Sequence, residues 1–464
     1  MCYTKYYMEG SASAQAHPAT TTTTMLLERV TGRCSDKTSG GIAHAIAGLI
    51  RQGELRGGDR LPTIRALASA LGISPSTVSE AWRFLAQHGL VTTARRNGTV
   101  VRPAAAMTGR FWKVPATSAD IVDLSTGTPD TDFLPSVQST IQALPTNIAI
   151  TSYMDRPVLE ELDETLRARW PFVPEAMTVV DGALDAVDRL IEAMVSLGDT
   201  VIVEDPTFPP ILDMLERAGA RVIGIELDGS GIRPDQLERA LRELPAMAIV
   251  QPVAHNPTGC SMTPERAVRV AAAFERESPN TWIVEDHHAG DLIQHGGVSL
   301  GCYLPERVIR VHSFSKSHGP DLRIAAIGGA AEPIQRVVDR RRLGPSWTSR
   351  LIQHMLLALL RDNETDRLVE SAQIDYAARR SELSQLLQQA GIDIGHGEGL
   401  NMWIPVADES RAVVALALRG IGVAAGTPFA VNPAVCPNHI RVSVGNARSD
   451  LPRIAEAIAE ATRA

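Results

Sequence analysis

The sequence predicts two modules. A small winged helix-turn-helix, helical with a short β wing, precedes a large α/β domain with a mainly parallel sheet, which ends in a smaller α+β subdomain. Three observations carry this. Residues 42–101 read as three short helices and a hairpin. Beyond Ile121, short apolar runs alternate with amphipathic stretches, the pattern of strand–helix units. At 464 residues the chain is also too long for one ordinary domain.

Residues 1–39 come first. They include "TTTTT" and much Ser, Ala and Gly, and are expected to be disordered, with Met25 an alternative start. The winged helix is expected over 40–102. "IAHAIAGLIRQG" has apolar residues at helical spacing up to Gly53. "TIRALASALG" is a second helix stopped by Gly72, and "SPSTVSEAWRFLAQHG" a third. Ser74 is placed to cap that third helix, with Pro75 at its first position. "LVTTARRNGTVV" alternates around Asn97-Gly98, a strong hairpin signal. A helix fits the major groove and meets base edges with its N-terminal residues, here Ser74, Ser76 and Thr77. Arg65 is placed for phosphate. Arg95 and Arg96 sit on the wing, with Gly98 and Thr99 at its turn.

Charge agrees. From Gly41 to Pro103, eight arginines against three acids give +5, leaving −13 on the rest of a chain of formal charge −8. A basic module joined to an acidic one suits a polyanion at one end only. The chain has no apolar run of about 18 residues and no basic-then-apolar start, so neither a membrane span nor secretion is expected. Five scattered cysteines without a CxxC pair point to a reducing cytoplasm and no zinc site.

Residues 103–120, with prolines and no clear period, read as a linker. In the large domain, 121–464, the expected buried strands are "TVIVED" (200–205), "RVIGIEL" (221–227), "MAIVQP" (247–252), "TWIVED" (281–286) and "RVIRVHS" (307–313). The subdomain, about 370–464, opens with a long helix and includes "GLNMWIPV", "GVAAG" and "HIRVSV".

Lys316, in "HSFSKSHGPDLR", has the surroundings of a Schiff-base lysine for pyridoxal 5'-phosphate. That cofactor offers four handles. A buried carboxylate, Asp286, keeps the pyridine nitrogen protonated. Asn256 in "HNPTG" can donate to the phenolic oxygen, and Phe208 in "EDPTF" can cover the ring face. The phosphate wants a helix N-terminus and a cation. Gly182, Ala183 and Leu184 begin a helix, Arg323 supplies charge, and Ser313 and Ser315 add hydroxyls. Asn256, Asp286 and Lys316 are 30 residues apart in turn, about one strand–helix unit each, so all three emerge at one end of neighbouring strands. Singly, "NPTG" is a turn, a strand-terminal aspartate an N-cap and a lone lysine solvated. Together, in this order and spacing, they make a site.

The N-terminal stretch "LPTIRALASALGISPSTVSEAWRFLAQHGLV", followed by "NGTVV", resembles the GntR family of bacterial regulators, although Pro75 stands where many relatives carry arginine. "GTPD", "DGALDAV", "GDTVIVEDPTF", "HNPTG", "VED", "SFSKSHGPDLR" and "IRVSV" resemble the fold-type I, aspartate aminotransferase-like pyridoxal-phosphate enzymes. That resemblance implies that Arg441 and Asn256 grip a substrate or effector carboxylate, and that Tyr153 reaches the phosphate of a neighbouring subunit. It also implies a tyrosine shortly after Asp286, where this chain has His288 and Ala289. His288 is expected to take that place. The fusion resembles the MocR subfamily of transcription regulators, which implies a domain-swapped homodimer, an operator duplex and an amino acid, amine or the cofactor itself as effector. A linker of about 20 residues at ~3.3 Å each can cross a subunit. The competing expectation is a working aminotransferase with a vestigial winged helix.

Overall fold

A computed structural model describes residues 23–34, 36–51, 54–87, 91–94, 98–101, 121–142, 144–145, 152–293, 297–433, 438–448 and 450–463. The chain separates into two compact units, residues 1–107 and 108–464.

The first unit contains α1 (Thr23–Arg33), α2 (Ser39–Arg51), α3 (Ile64–Leu71), α4 (Pro75–Gln87) and the hairpin β1 (Val91–Ala94) and β2 (Gly98–Val101). Ile42, Ile46, Leu67, Val78 and Leu85 are buried at helical spacing and form its core. Thr63 caps α3 by accepting from the Ala66 amide at 3.2 Å, and Gly72 ends it in the left-handed region at φ +68°. The strands pair with Val91 opposite Val101 and Ala94 opposite Gly98. The first 39 residues are not all disordered. Helix α1 buries Val30, Cys34 just after it is buried too, and Arg33 pairs with Glu54 at 2.8 Å. The threonine run hid this helix, whose apolar contacts are few. Residues 1–22 and the linker at 103–120 lie outside the described residues.

The second unit is built on an eight-stranded mixed sheet. In chain order its strands are β4 (Ala176–Val180), β5 (Thr200–Asp205), β6 (Arg221–Asp228), β7 (Gly231–Ile232), β8 (Met247–Val250), β9 (Trp282–His287), β10 (Val308–Ser313) and β11 (Ala325–Gly329). Their spatial order is β4-β11-β10-β9-β8-β5-β6-β7. The five expected strands form its middle, and β10, β9, β8, β5 and β6 run parallel. Strand β11 is antiparallel to both its neighbours. Short α5 (Val137–Gln142) and α6 (Glu160–Ala168) precede the sheet. Helices α7 (Ala183–Met194), α8 (Pro209–Ala218) and α11 (Ala331–Arg342) cover one face, packing Leu190, Ile211 and Val337 against Val201 and Val203. Helices α9 (Pro234–Leu241) and α10 (Pro264–Glu277) cover the other, packing Leu237 and Phe274 against Ile202 and Ile283. Burial on both sides explains why these strands read as unbroken apolar runs.

Helix α12 (Arg350–Leu360) leads into the 27-residue α13 (Asn363–Gln389) and the small subdomain. There β12 (Asn401–Pro405), β14 (Ala424–Ala425) and β15 (His439–Ser443) form a sheet in the order β12-β15-β14, with α14 (Glu409–Ala417) and α15 (Leu451–Ala461) packed on it. The subdomain also recruits chain from far upstream. Strand β3 (Val122–Asp123) pairs in parallel with β13 (Ile421–Gly422), and Leu124 accepts from the Ser443 amide at 2.8 Å. No helix among the described residues is long and apolar enough to cross a membrane.

Candidate cofactor site and DNA-binding face

Four parallel strands end in polar residues at the same edge: Glu204 on β5, Gln251 just after β8, Asp286 on β9 and Ser313 on β10. Ligands of open α/β sheets bind outside the carboxyl ends of the strands. A cavity of about 160 Å³ lies there, lined by Ala183, Leu184, Phe208, Asn256, His288, Ser313, Ser315, Lys316, Arg323 and Arg441, with Thr126, Gly127 and Asn401. Most of the residues predicted for the cofactor therefore converge; Gly182 and Asp286 do not line the cavity, and Tyr153 is 89% exposed elsewhere, 6.2 Å from the Trp347 ring.

The ring end is built around Asp286, which is buried. Gln251 Nε2 donates to its Oδ2 at 2.7 Å, while Oδ1 has no hydrogen-bond partner among the described residues. Burial pushes this carboxyl up to about 6; the Gln251 bond opposes that rise and Glu204 adds to it. Glu204 Oε2 accepts from the Gln251 main-chain N–H at 2.8 Å and lies 3.3 Å from His255 Nε2. Gln251 Oε1 accepts from the Asn256 main-chain N–H at 2.8 Å. One network thus fixes both Asp286 and Asn256.

At the phosphate end, Gly182 precedes α7 with φ +114°. A Cβ there would lie 2.7 Å from Arg323 Nη2, so only glycine lets this guanidinium lie over the helix N-terminus. Arg323 itself has a left-handed backbone, φ +46°. First-turn N–H groups, a cation and the Ser313 and Ser315 hydroxyls suit a dianion.

At the amine end, burial and the nearby Arg441 charge lower Lys316 to about 8. Its Nζ donates to the Gly127 carbonyl. Arg441 is buried and lowered by that burial to about 10, with Asp123 opposing. It donates to Asn256 Oδ1 at 3.3 Å and to the Ser125 carbonyl. His288 donates from Nε2 to the Ala254 carbonyl at 2.9 Å. A carbonyl only accepts, which puts the ring proton on Nε2. Burial pushes this imidazole down to about 3, so it is neutral. His288 lines the cavity, but with its proton given to Ala254 its ring has no second N–H to donate, unlike the hydroxyl of a tyrosine.

These residues fit pyridoxal phosphate. The buried, unpartnered Asp286 Oδ1 suits a protonated ring nitrogen, and the lysine is poised to lose its proton. Sequence reasoning missed Gln251, Glu204 and His255, which orient the ring partners, and Asn401, whose buried Oδ1 is unpartnered beside Arg441. The available signal was their place at or just beyond strand ends.

On α4, Ser74 accepts from the Thr77 amide at 3.3 Å, and its Oγ lies 2.6 Å from Ser76 Oγ and 3.0 Å from Thr77 Oγ1. Ser74, Ser76, Arg65 and Gly98 are exposed and Thr77 is half-buried. Thr99 is instead buried, 6% exposed. Arg95 and Arg96 lie outside the described residues.

Comparison with known proteins agrees. Residues 38–101 match the bacterial regulatory proteins of the gntR family, and residues 119–458 match aminotransferase class I and II. The vitamin B6 salvage pathway transcriptional repressor PtsJ of Salmonella typhimurium is 34% identical over 420 residues, covering 87% of this chain and 93% of that protein. The pyridoxine biosynthesis transcriptional regulator PdxR of Corynebacterium glutamicum is 25% identical over 73% of this chain and 76% of its own length. Among solved structures, a double mutant of Thermus thermophilus aspartate aminotransferase aligns with a TM-score of 0.64 at 25% identity, covering 74% of this chain and 92% of that one. The chain therefore belongs to the GntR-family transcription regulators whose winged helix is fused to a class I and II aminotransferase domain, the MocR architecture, with pyridoxal phosphate as cofactor.

Proposed function

We propose that this regulator holds an operator duplex through α4 and changes that hold when pyridoxal phosphate, alone or with an amino acid or amine, fills the Lys316 cavity. The observation that carries the reading is the pairing of a lysine lowered to about 8 with the buried, unpartnered Asp286 Oδ1, in a chain that also carries an exposed hydroxyl cluster on α4. PtsJ and PdxR, whose names tie them to vitamin B6 supply, support the cofactor itself as the sensed molecule.

When bound, the cofactor supplies an aldehyde open to amines and an electron-withdrawing ring. The chain's residues do the rest. Asp286 Oδ1 holds the ring-nitrogen proton, kept in place by Gln251. Arg323 and the α7 N-terminus anchor the phosphate. Asn256 orients the ring, and Phe208 covers its face. Arg441 offers a guanidinium to a carboxylate. The exposed Tyr153 supports a domain-swapped homodimer in which it meets the partner's site. A bacterial regulator acting on DNA works in the cytoplasm. The aminotransferase reading uses the same groups, but His288 leaves no tyrosine-like donor at its position, which favours sensing over turnover.

Titration of purified protein with pyridoxal phosphate tests the reading. A band at about 400–430 nm should appear, vanish in Lys316→Ala, and track a change in salt-dependent duplex affinity. A band that persists in Lys316→Ala refutes the lysine assignment. Multi-turnover transamination over a panel of amino acids, with no duplex binding, refutes the regulator.

A further inference from the structure

The segment after the linker, residues 121–130, is held in two different ways. Its ends belong to the small subdomain. The Val122 and Leu124 amides donate to the Gly420 and Gly422 carbonyls at 2.8 Å each, and Asp130 pairs with Arg379 at 2.9 Å. Its middle is held by the site. Arg441 donates to the Ser125 carbonyl, and Lys316 to the Gly127 carbonyl. Arg441 is on β15 of the small subdomain. Lys316 follows β10 of the large sheet, so its bond to Gly127 is a tie between the two subdomains. Gly127 has φ +67°, a conformation that glycine adopts without cost. Asp123 stiffens the turn by accepting from the Ser125 amide at 2.8 Å, the Ser125 hydroxyl at 2.6 Å and the Thr126 hydroxyl at 2.7 Å.

A lysine joined to an aldehyde no longer holds Gly127 as an ammonium does. Capture joins Nζ to the aldehyde carbon by a C=N bond, and the carbonyl oxygen leaves as water. Of the three ammonium hydrogens at most one remains. By sequence, the same segment continues through residues 103–120 into the DNA-binding module. We propose that residues 123–128 report the state of Lys316 to that module: a free lysine grips the segment through Gly127, and a captured lysine releases it. This rests on the sensing reading above and supplies its regulation. A carboxylate arriving at Arg441 competes with the Ser125 carbonyl in the same way.

The test compares two ligands on the full-length protein. Pyridoxal 5'-phosphate carries the aldehyde. Pyridoxine 5'-phosphate has an alcohol there, so it fills the cavity without taking the lysine. Hydrogen exchange of the amides in 121–130 should be several-fold faster with the first ligand than with the second, and duplex affinity should shift only with the first. Asp123→Ala, which slackens the turn, should load pyridoxal phosphate to within about twofold of the native level while losing most of the ligand-dependent duplex shift. Equal exchange with both ligands at full loading overturns the proposal. So does a full duplex shift in Asp123→Ala. If exchange differs but no duplex shift occurs in the native protein, the release stands and the sensing reading fails.

Discussion

The two ends of the cofactor cavity are built by different rules. At the ring end every acceptor is a side-chain oxygen or ring nitrogen: Asp286 accepts from the Gln251 side chain, and Glu204, with His255 beside it, holds the Gln251 main-chain N–H. At the amine end Lys316 and Arg441 grip main-chain carbonyls, those of Gly127 and Ser125. The ring end is buried and has one evident use, to hold a protonated ring. The amine end is tied to a segment that leads toward another module. A site used only for chemistry needs the first kind of construction. A site that reports occupancy needs something to let go, and the second kind provides it.

Substitutions at the two ends should therefore fail differently. The largest expected effect is at the amine end. Lys316→Ala should lose the absorbance band entirely and make duplex affinity blind to pyridoxal phosphate. Next is Asp286→Asn at the ring end, which should weaken cofactor binding by about 100-fold, as loss of a charge-assisted bond does. The same change should stabilise the cofactor-free protein. Burial raises Asp286 from its ordinary range to about 6, so its contribution to stability is fully present below about pH 4 and fades as pH rises through 6. Removing the charge restores up to about 3 kcal/mol at pH 8 and nothing at pH 4, as read by urea denaturation at both values. If Asp286→Asn instead lowers stability at pH 8, the ring end is not strained by its unpaired charge.

A smaller effect separates the ends by pH. With Lys316 at about 8, the neutral amine fraction rises about fivefold between pH 7 and 8 and then levels. The rate of cofactor capture, followed by absorbance, should do the same. A rate still climbing tenfold per unit at pH 9 would mean an ordinary lysine. Smallest are changes remote from the cavity. Ser74→Ala removes a cap, which should cost the first unit about 1 kcal/mol. Arg65→Ala should weaken duplex binding a few-fold at every sequence and lower the salt slope by about one. Neither should alter cofactor capture.

The difference between the ends also explains what the sequence makes legible. Asn256, Asp286 and Lys316 stand out because strand–helix units repeat and put one chemical group at each strand end. The winged helix is legible because caps and turns are local: Thr63, Gly72, Ser74 and the Asn97-Gly98 turn each announce themselves. Gln251 and Glu204 were harder, since an amide and an acid at strand ends have many uses. Helix α1 was hidden by the polar run before it. Strand β11, "AAIGG", has one β-branched residue, Ile327, among alanines and glycines, where the other central strands have several. The grip on Ser125 and Gly127 was illegible in principle, because a main-chain carbonyl has no residue type. Likewise the tautomer of His288 is set by the main-chain carbonyl of Ala254, a residue whose side chain does not take part.

One experiment bears most directly on the central claim that occupancy of Lys316 is read out at DNA. Pyridoxal phosphate is titrated into the protein with its operator duplex, and absorbance and duplex anisotropy are followed in the same cuvette. If the lysine is the switch, the two signals rise along one curve, and both are absent in Lys316→Ala. A duplex signal that saturates at a different cofactor concentration from the band, or that survives in Lys316→Ala, contradicts it.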